Sequence, residues 1–191
     1  MTDQEKLNAA NTIVLEQTGF ATAAGLIPIP IADLVAVTAI HMDMIKQIAI
    51  VYEVDYSESS GKKLISAIGG TIIARIGSSA IKVIPGIGTL IGELTGAAVA
   101  AATTYALGKT FIWHFSNGGT FEDMDINKAK EIFNTAIIKG KKVAAEMEKE
   151  PLQNNQEKIF GTIEKLSELN KKNIITDKDF EEQKQRLLNQ L

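Results

Sequence analysis

The sequence predicts an all-α protein built from helical hairpins with glycine-rich, close-packed helices and ending in a small two-helix module. Three observations lead there. Apolar residues recur at spacings of three and four through the first half of the chain, the period of a helix face. Alternation bounded by hairpin turns, the mark of paired strands, is missing. Hydrophobic residues make up 45% of the chain but aromatics only 6%, so the apolar content is chiefly Ala, Ile, Val and Leu, which suits helices at close range. The same composition is too apolar for a disordered chain.

The 191 residues allow one domain of generous size with a small appendage. There is no cysteine, which removes disulfides, zinc–thiolate sites and thiol nucleophiles together. Only His41 and His114 are present, so a polyhistidine metal site is not expected, and no metal or cofactor is assigned. A net charge of −3 gives no electrostatic case for nucleic acid. Residues 1–12 are polar and carry Asp3 and Glu5 rather than a basic leader, so no secretory signal is expected.

Charge divides the chain. Residues 1–119 hold seven Lys/Arg and nine Asp/Glu; the shorter stretch 120–191 holds thirteen and fourteen. The change falls at Ser116-Asn117-Gly118-Gly119, a helix-breaking cluster. A second seam, the polar, proline-containing 150–156, marks a linker. The expected organisation is an apolar helical domain with a charged final helix over 1–150, a linker at 151–156, and a hairpin at 157–191.

Each helix has its own signal. From Pro30 onward, Leu34, Val37, His41, Ile45, Ile48 and Tyr52 share one side, with Asp43, Lys46 and Gln47 opposite. Pro30 suits a helix start, where its missing N–H costs nothing. A further helix is expected from about Gly61 to Val83, then another from about Gly88 to His114, separated by Pro85-Gly86. Two turns resemble one another: Gly25-Leu26-Ile27-Pro28-Ile29-Pro30 precedes Asp33, and Val83-Ile84-Pro85-Gly86-Ile87-Gly88 precedes Glu93. Both are apolar where exposed loops are normally polar. They read either as connections buried in one core or as hairpin tips against a membrane.

Small residues recur every fourth position: Gly88, Gly92, Gly96, Ala100, Thr104 and Gly108 in one helix, Ser66, Gly70, Ala74 and Ser78 in the preceding one. A glycine inside a helix costs roughly 1 kcal/mol against alanine, and close helix–helix approach is the usual compensation, in water or in lipid. The expectation is that the row joins the two helices of residues 61–115 tightly, with leucine at Gly92 or Gly96 disruptive. From Leu94 to Gly108 there is no charge, yet this stretch is short of a conventional span of about 20 residues. Partial insertion therefore fits better than independent spans. Phe111, Trp113, His114 and Phe115 follow, suited to a membrane interface or to closing a core. Asp33, Arg75, Lys82 and Glu93 are charges in apolar surroundings and should be paired if buried; Arg75 with Glu93, or with Asp33, is the expected buried ion pair. His41 reads as a packed or hydrogen-bonded histidine.

Two nucleotide motifs fail. Gly108-Lys109-Thr110 imitates the end of a phosphate-binding loop, but Thr103 stands where its first glycine belongs, and the context is helical. Gly86-x-Gly88-x-x-x-Gly92 is out of register for the dinucleotide fingerprint. No convergent nucleophile and base emerge, so no catalytic residue is assigned and an enzyme is not expected.

The C-terminal segment is the clearest. Ile159, Ile163, Leu166 and Leu169 form one stripe; Phe180, Leu187, Leu188 and Leu191 form a second. Asn173 suits the position just past a helix end. Thr176-Asp177-Lys178-Asp179 resembles a capping box, flanked by Ile175 and Phe180 as a hydrophobic staple. A hairpin of this size buries too little apolar area to stand alone, so its stripe must dock on the rest of the chain, on another copy or on a partner. Its Lys and Glu residues read as solvated outer faces.

These residues carry two resemblances. Glu157–Leu191, with Leu166, Leu169, Ile174-Ile175-Thr176, Phe180, Lys184 and Leu187-Leu188, resembles the bacterial short C-terminal domain SHOCT, with Asn173 where glycine is commoner. That resemblance implies an oligomerisation or interaction element without catalytic residues. Residues 20–115, with Ile27-Pro28-Ile29-Pro30-Ile31-Ala32-Asp33, Met42, Met44-Ile45 and Ile84-Pro85-Gly86-Ile87-Gly88, are similar to the domain-of-unknown-function family 697. This bacterial family often follows GTPase domains and includes predicted inner-membrane proteins; the usual GTP-binding domain is absent here, so a GTPase partner would act in trans.

The functional expectation is a non-catalytic, self-assembling bacterial protein that associates with membrane lipid as a homo-oligomer. It would lie at the inner membrane, peripheral or partly inserted and facing the cytoplasm. Two alternatives stay open: a wholly soluble homo-oligomeric interaction module in the cytoplasm, and a membrane-permeabilising protein using its glycine-rich hairpin.

Overall fold

In the computed structural model, residues 1–24, 32–76, 96–148, 155–171, 173 and 175–189 are described, with side chains of 23–24, 32–36, 70–76, 148, 155 and 158 excepted. Among them lie seven helices and no strand: α1 (Asp3–Ala24), α2 (Ala32–Val51), α3 (Glu58–Ile76), α4 (Gly96–Ser116), α5 (Ile126–Glu148), α6 (Asn155–Lys171) and α7 (Asp177–Leu188). The all-α prediction is correct.

Local chemistry sets the helix ends. Thr2 and Glu5 form a reciprocal cap at α1: the Glu5 carboxylate accepts from the Thr2 amide (2.7 Å) and the Glu5 amide donates to Thr2 Oγ1 (3.3 Å). Ser57 Oγ accepts from the Ser60 amide at the start of α3. Asp125 Oδ1 takes the amides of Asn127 and Lys128 at the start of α5, an N-terminal carboxylate that also meets the positive end of the helix dipole. Gly118 turns the chain after α4 with φ +80°, a conformation glycine adopts without strain.

The centre of the bundle is α4. Seventeen of its 21 residues are buried, so it has no solvent face, and this accounts for its lack of a polar stripe. It packs chiefly against α5 and α1, with α2 and α3 completing the surround. Over the described residues the intimate partners of α4 are α5 and α1; the α3 half of the expected pairing from Gly70 onward, with Gly88 and Gly92, lies outside the residues whose side chains are described. The principal core draws on Val14 of α1, Ile45 and Ile48 of α2, Leu64 and Ile68 of α3, Phe111 of α4 and Phe133 and Ile137 of α5.

Phe111 and Phe115 are buried at the far end of α4 and meet Phe121, which also stands edge-on to Tyr56. Phe111 and Phe115 therefore close a core, and Trp113 remains half-buried beside them. Lys6 of α1 reaches Glu53, just past the end of α2 (2.8 Å).

Candidate interaction site

The C-terminal hairpin docks on its own chain. At its turn, Asn173 is left-handed (φ 55°), and Thr176 caps α7, its side chain accepting from the Asp179 amide while Asp179 reaches back to the Thr176 amide. Ile175 is buried and Phe180 packs against the same cluster, as the capping box and staple predict. Ile159, Leu166, Leu169, Ile175 and Leu187 are buried, and Ile163 and Phe180 partly so, against Ala21 of α1, Val37 and Ile40 of α2 and Ala100 of α4. Leu188 lies half-buried beside them. Bulky side chains on the hairpin thus meet alanines of the core together with Val37, Ile40 and Phe20, large and small side chains interdigitating.

A polar hub sits within this contact. Lys165 Nζ of α6 donates to Asp43 Oδ2 of α2 at 2.5 Å, with side-chain exposures of 9% and 2%. The same oxygen accepts from Gln17 Nε2 of α1 (3.1 Å) and Gln47 Nε2 of α2 (2.6 Å). The ammonium also faces the ring of Phe20 at 5.7 Å and lies 3.8 Å from the Glu168 carboxylate. Three helices therefore converge on one carboxylate. Removing two charges from water costs several kcal/mol per ion, offset only by dense pairing and hydrogen bonding, which is what this arrangement supplies.

This hub corrects two readings. Asp43 is not on a solvated face of α2, because that helix is covered on both sides: His41 faces α4 while Ile40 and Asp43 face the hairpin. Nor are all the lysines of the hairpin solvated, since Lys165 is buried. Sequence reasoning missed the hub, although a signal existed. Lys165 lies three residues beyond Thr162 and four before Leu169, and Asp43 three beyond Ile40, so both stand in register with the buried stripe.

The small-residue row is distributed over several partners. Gly96 opens α4 and is exposed. Ala100 lies under the hairpin. Thr104 meets His41, and a Cβ at Gly108 would collide with Val14 of α1 and Met44 of α2. The described part of the row thus turns toward α1, α2 and the hairpin. Among the described glycines, the tightest approach to a neighbouring helix's backbone is one the row does not contain: a Cβ on Gly140 of α5 would sit 2.7 Å from the Ala102 carbonyl oxygen of α4. Gly70, Ala74 and Arg75 belong to the part of α3 whose side chains are not described; the Asp33 side chain, Lys82, Gly88, Gly92 and Glu93 also lie outside the described residues, and with them the expected Arg75 pairing.

His41 is buried, its Nε2 2.8 Å from Thr104 Oγ1. That hydroxyl gives its own proton to the Ala100 carbonyl (2.8 Å), so it can only accept from the imidazole, which fixes the hydrogen on Nε2. Nδ1 has no hydrogen-bond partner among the described residues. Burial pushes the His41 pKa down from 6.5 to about 4, so the ring is neutral at pH 7. The packed-histidine reading describes it well.

Gly108-Lys109-Thr110 lies inside α4, where the Thr110 hydroxyl donates to the Ala106 carbonyl; no free turn exists there to hold a phosphate. Lys109 is pulled below its usual range by burial and by Lys139 nearby, and its partners are the Asn11 side chain and the Tyr105 ring. Among the described residues no group of three or more His, Asp or Glu could hold a metal ion, and no helix is long and apolar enough to cross a membrane.

Residues 2–142 match the family described as "Domain of unknown function (DUF697)". That match is wider than residues 20–115, adding α1 and most of α5, and it stops short of the hairpin. The chain is also 31% identical over 143 residues to "Magnetosome membrane protein 22" of Magnetospirillum gryphiswaldense, covering 72% of this chain and 73% of that one. No solved structure matches.

Proposed function

Because the chain belongs to the DUF697 family, we propose that it is a non-catalytic, membrane-associated helical protein that self-assembles. The observation that carries this is the likeness, over most of both chains, to a relative whose name places it in a membrane. The two apolar stretches around residues 25–31 and 83–92 supply segments suited to lipid contact. The described helices contain no span; in this reading association is peripheral or through segments that enter only partly. The apolar character of α4, which taken alone invites a lipid reading, is consumed by burial inside the bundle.

The hairpin of α6 and α7 is the SHOCT-like interaction element in this reading, and a GTPase acting in trans is the proposed partner, suggested by the resemblance stated above. The inner membrane's cytoplasmic face is the proposed location. Flotation of the purified chain with phosphatidylethanolamine/phosphatidylglycerol vesicles tests the core of the proposal. Co-migration with lipid is expected, and full recovery in the lipid-free fraction would overturn it. Alkaline carbonate extraction then separates partial insertion, which resists release, from peripheral binding. A wholly soluble oligomeric module is the second reading, favoured by the burial of the apolar α4 inside the bundle. It predicts a discrete particle in detergent-free buffer without affinity for vesicles.

A further inference from the structure

We propose that the C-terminal hairpin is a releasable cap, held by the Asp43–Lys165 pair over a face of the core that binds a lipid bilayer surface once uncovered. The inference rests on the membrane reading above and adds how that binding is controlled.

Three observations carry it. The first is that the core is complete without the hairpin. The principal hydrophobic cluster contains residues of α1 to α5 and the loop before α5, and none of α6 or α7; the hairpin enters only a second cluster, at its own interface. The family match ends at residue 142, before the hairpin begins. Undocking therefore opens one contact and leaves the bundle intact, while the hairpin, too small to hold a core of its own, loses its order.

The second concerns the chemistry of the contact. An interface meant to stay shut gains little from a buried ion pair, since apolar side chains of similar volume often serve as well or better. Here Asp43, Lys165, Gln17 and Gln47 are gathered at the seam. When the hairpin leaves, all four regain water, so the open state is less unfavourable than it would be over a purely apolar face. Specific closure and affordable opening come from the same four residues.

The third is placement. The covered face consists of Phe20 and Ala21 near the end of α1, Val37 and Ile40 in the first half of α2, and Ala100 near the start of α4. In sequence, these helix ends lie next to the apolar stretches around residues 25–31 and 83–92. Along the chain, the residues beneath the hairpin therefore adjoin the segments to which the proposed membrane association is assigned. That adjacency favours a bilayer as occupant over another protein.

The test uses the full-length chain as wild type, Lys165→Asp, Lys165→Met and the exchanged pair Asp43→Lys/Lys165→Asp. Each is measured for flotation with phosphatidylethanolamine/phosphatidylglycerol vesicles, for tryptic cleavage within 149–172, for thermal melting, and for mass without lipid. Lys165→Asp sets two carboxylates face to face and should raise vesicle partitioning about tenfold or more by shifting the closed–open equilibrium. It should also speed cleavage of the hairpin while the melting of the bundle persists. The exchanged pair should return both readouts toward wild type. Should Lys165→Asp fail to fold, Lys165→Met is expected to move the same readouts in the same direction.

Faster hairpin cleavage with unchanged partitioning would overturn the cap while leaving membrane association standing, provided the wild type floats. A lipid-free dimer without any gain in flotation would overturn it too, and would give the face to a second copy. If no form floats, the membrane reading itself fails and the cap falls with it.

Discussion

Alanine at Gly140 should weaken the bundle, against the intrinsic preference of the helix. In an unencumbered helix interior Gly→Ala is worth about 1 kcal/mol in favour of folding. At Gly140 the added methyl would lie 2.7 Å from the Ala102 carbonyl oxygen, 3.1 Å from its Cα and 3.3 Å from its carbonyl carbon. All three obstacles are backbone, so no rotamer change relieves them, and α4 and α5 must move apart by several tenths of an ångström. A radial gap of 0.5–1 Å forfeits roughly a quarter to a half of each affected dispersion contact, and this is the most extensive helix pair among the described residues. Overpacking costs typically about 1–3 kcal/mol; with backbone as the obstacle the upper part of that range applies, leaving a net loss of about 1–2 kcal/mol. For a chain of this size that lowers Tm by roughly 2–8 °C. Gly19, on α1, meets nothing within 4 Å of an added Cβ and serves as the matched control, with a gain of about 0.5–1 kcal/mol expected. Urea unfolding followed by circular dichroism reads both. Gly140→Ala as stable as Gly19→Ala would refute the argument that backbone contact between α4 and α5 decides this position.

Stability should fall on acidification because His41 is buried neutral. Its folded pKa, about 4, lies below the reference 6.5, so between those values the unfolded chain binds the proton and the native state does not. The contribution is level above pH 6.5, declines as pH drops toward 4, and levels again below that. Between pH 7 and 5 the loss is about 2 kcal/mol, and a His41→Leu variant should show a correspondingly flatter profile in urea titrations at the two pH values. Truncating one partner of the hub, Lys165→Met, should cost about 3–5 kcal/mol of hairpin docking. Asp43→Leu/Lys165→Met should cost less than that single change, and hydrogen exchange in α6 would measure both. Thr176→Ala removes the cap of α7 and should cost about 1 kcal/mol, seen as faster exchange in α7 with α1 to α5 unaffected.

Much of the fold was legible because local signals and tertiary outcome agree. The breaker cluster after Ser116, the Thr176–Asp179 box and the positive φ of Asn173 all follow from residues within a few positions. The C-terminal stripe is buried as its spacing implies, though spacing alone could not choose its partner. The errors have a common cause: a central helix has no outside. Periodicity assigns one face to the core and one to water, and this fails for α4, which is enclosed by several neighbours, and for α2, whose buried arc takes in Asp43 while Lys46 and Ile50 face water. Asp43 therefore looked solvated, and α4 looked suited to lipid. The Gly140–Ala102 approach escaped because a single glycine in a charged, amphipathic helix carries no repeat. The Asp43–Lys165 pair joins residues far apart in sequence, and only the assembled bundle brings them together.

The order in which these parts are made has its own consequence. Every helix that forms the hairpin's seat, α1, α2 and α4, leaves the ribosome well before α6 and α7. At roughly 5–20 residues per second, the stretch from the end of the family match to the end of α7 takes several seconds to translate. Throughout that interval the nascent bundle displays Val37, Ile40 and Ala100 with no hairpin yet synthesised to cover them, and each newborn molecule passes once through a bare stage that the finished chain then hides.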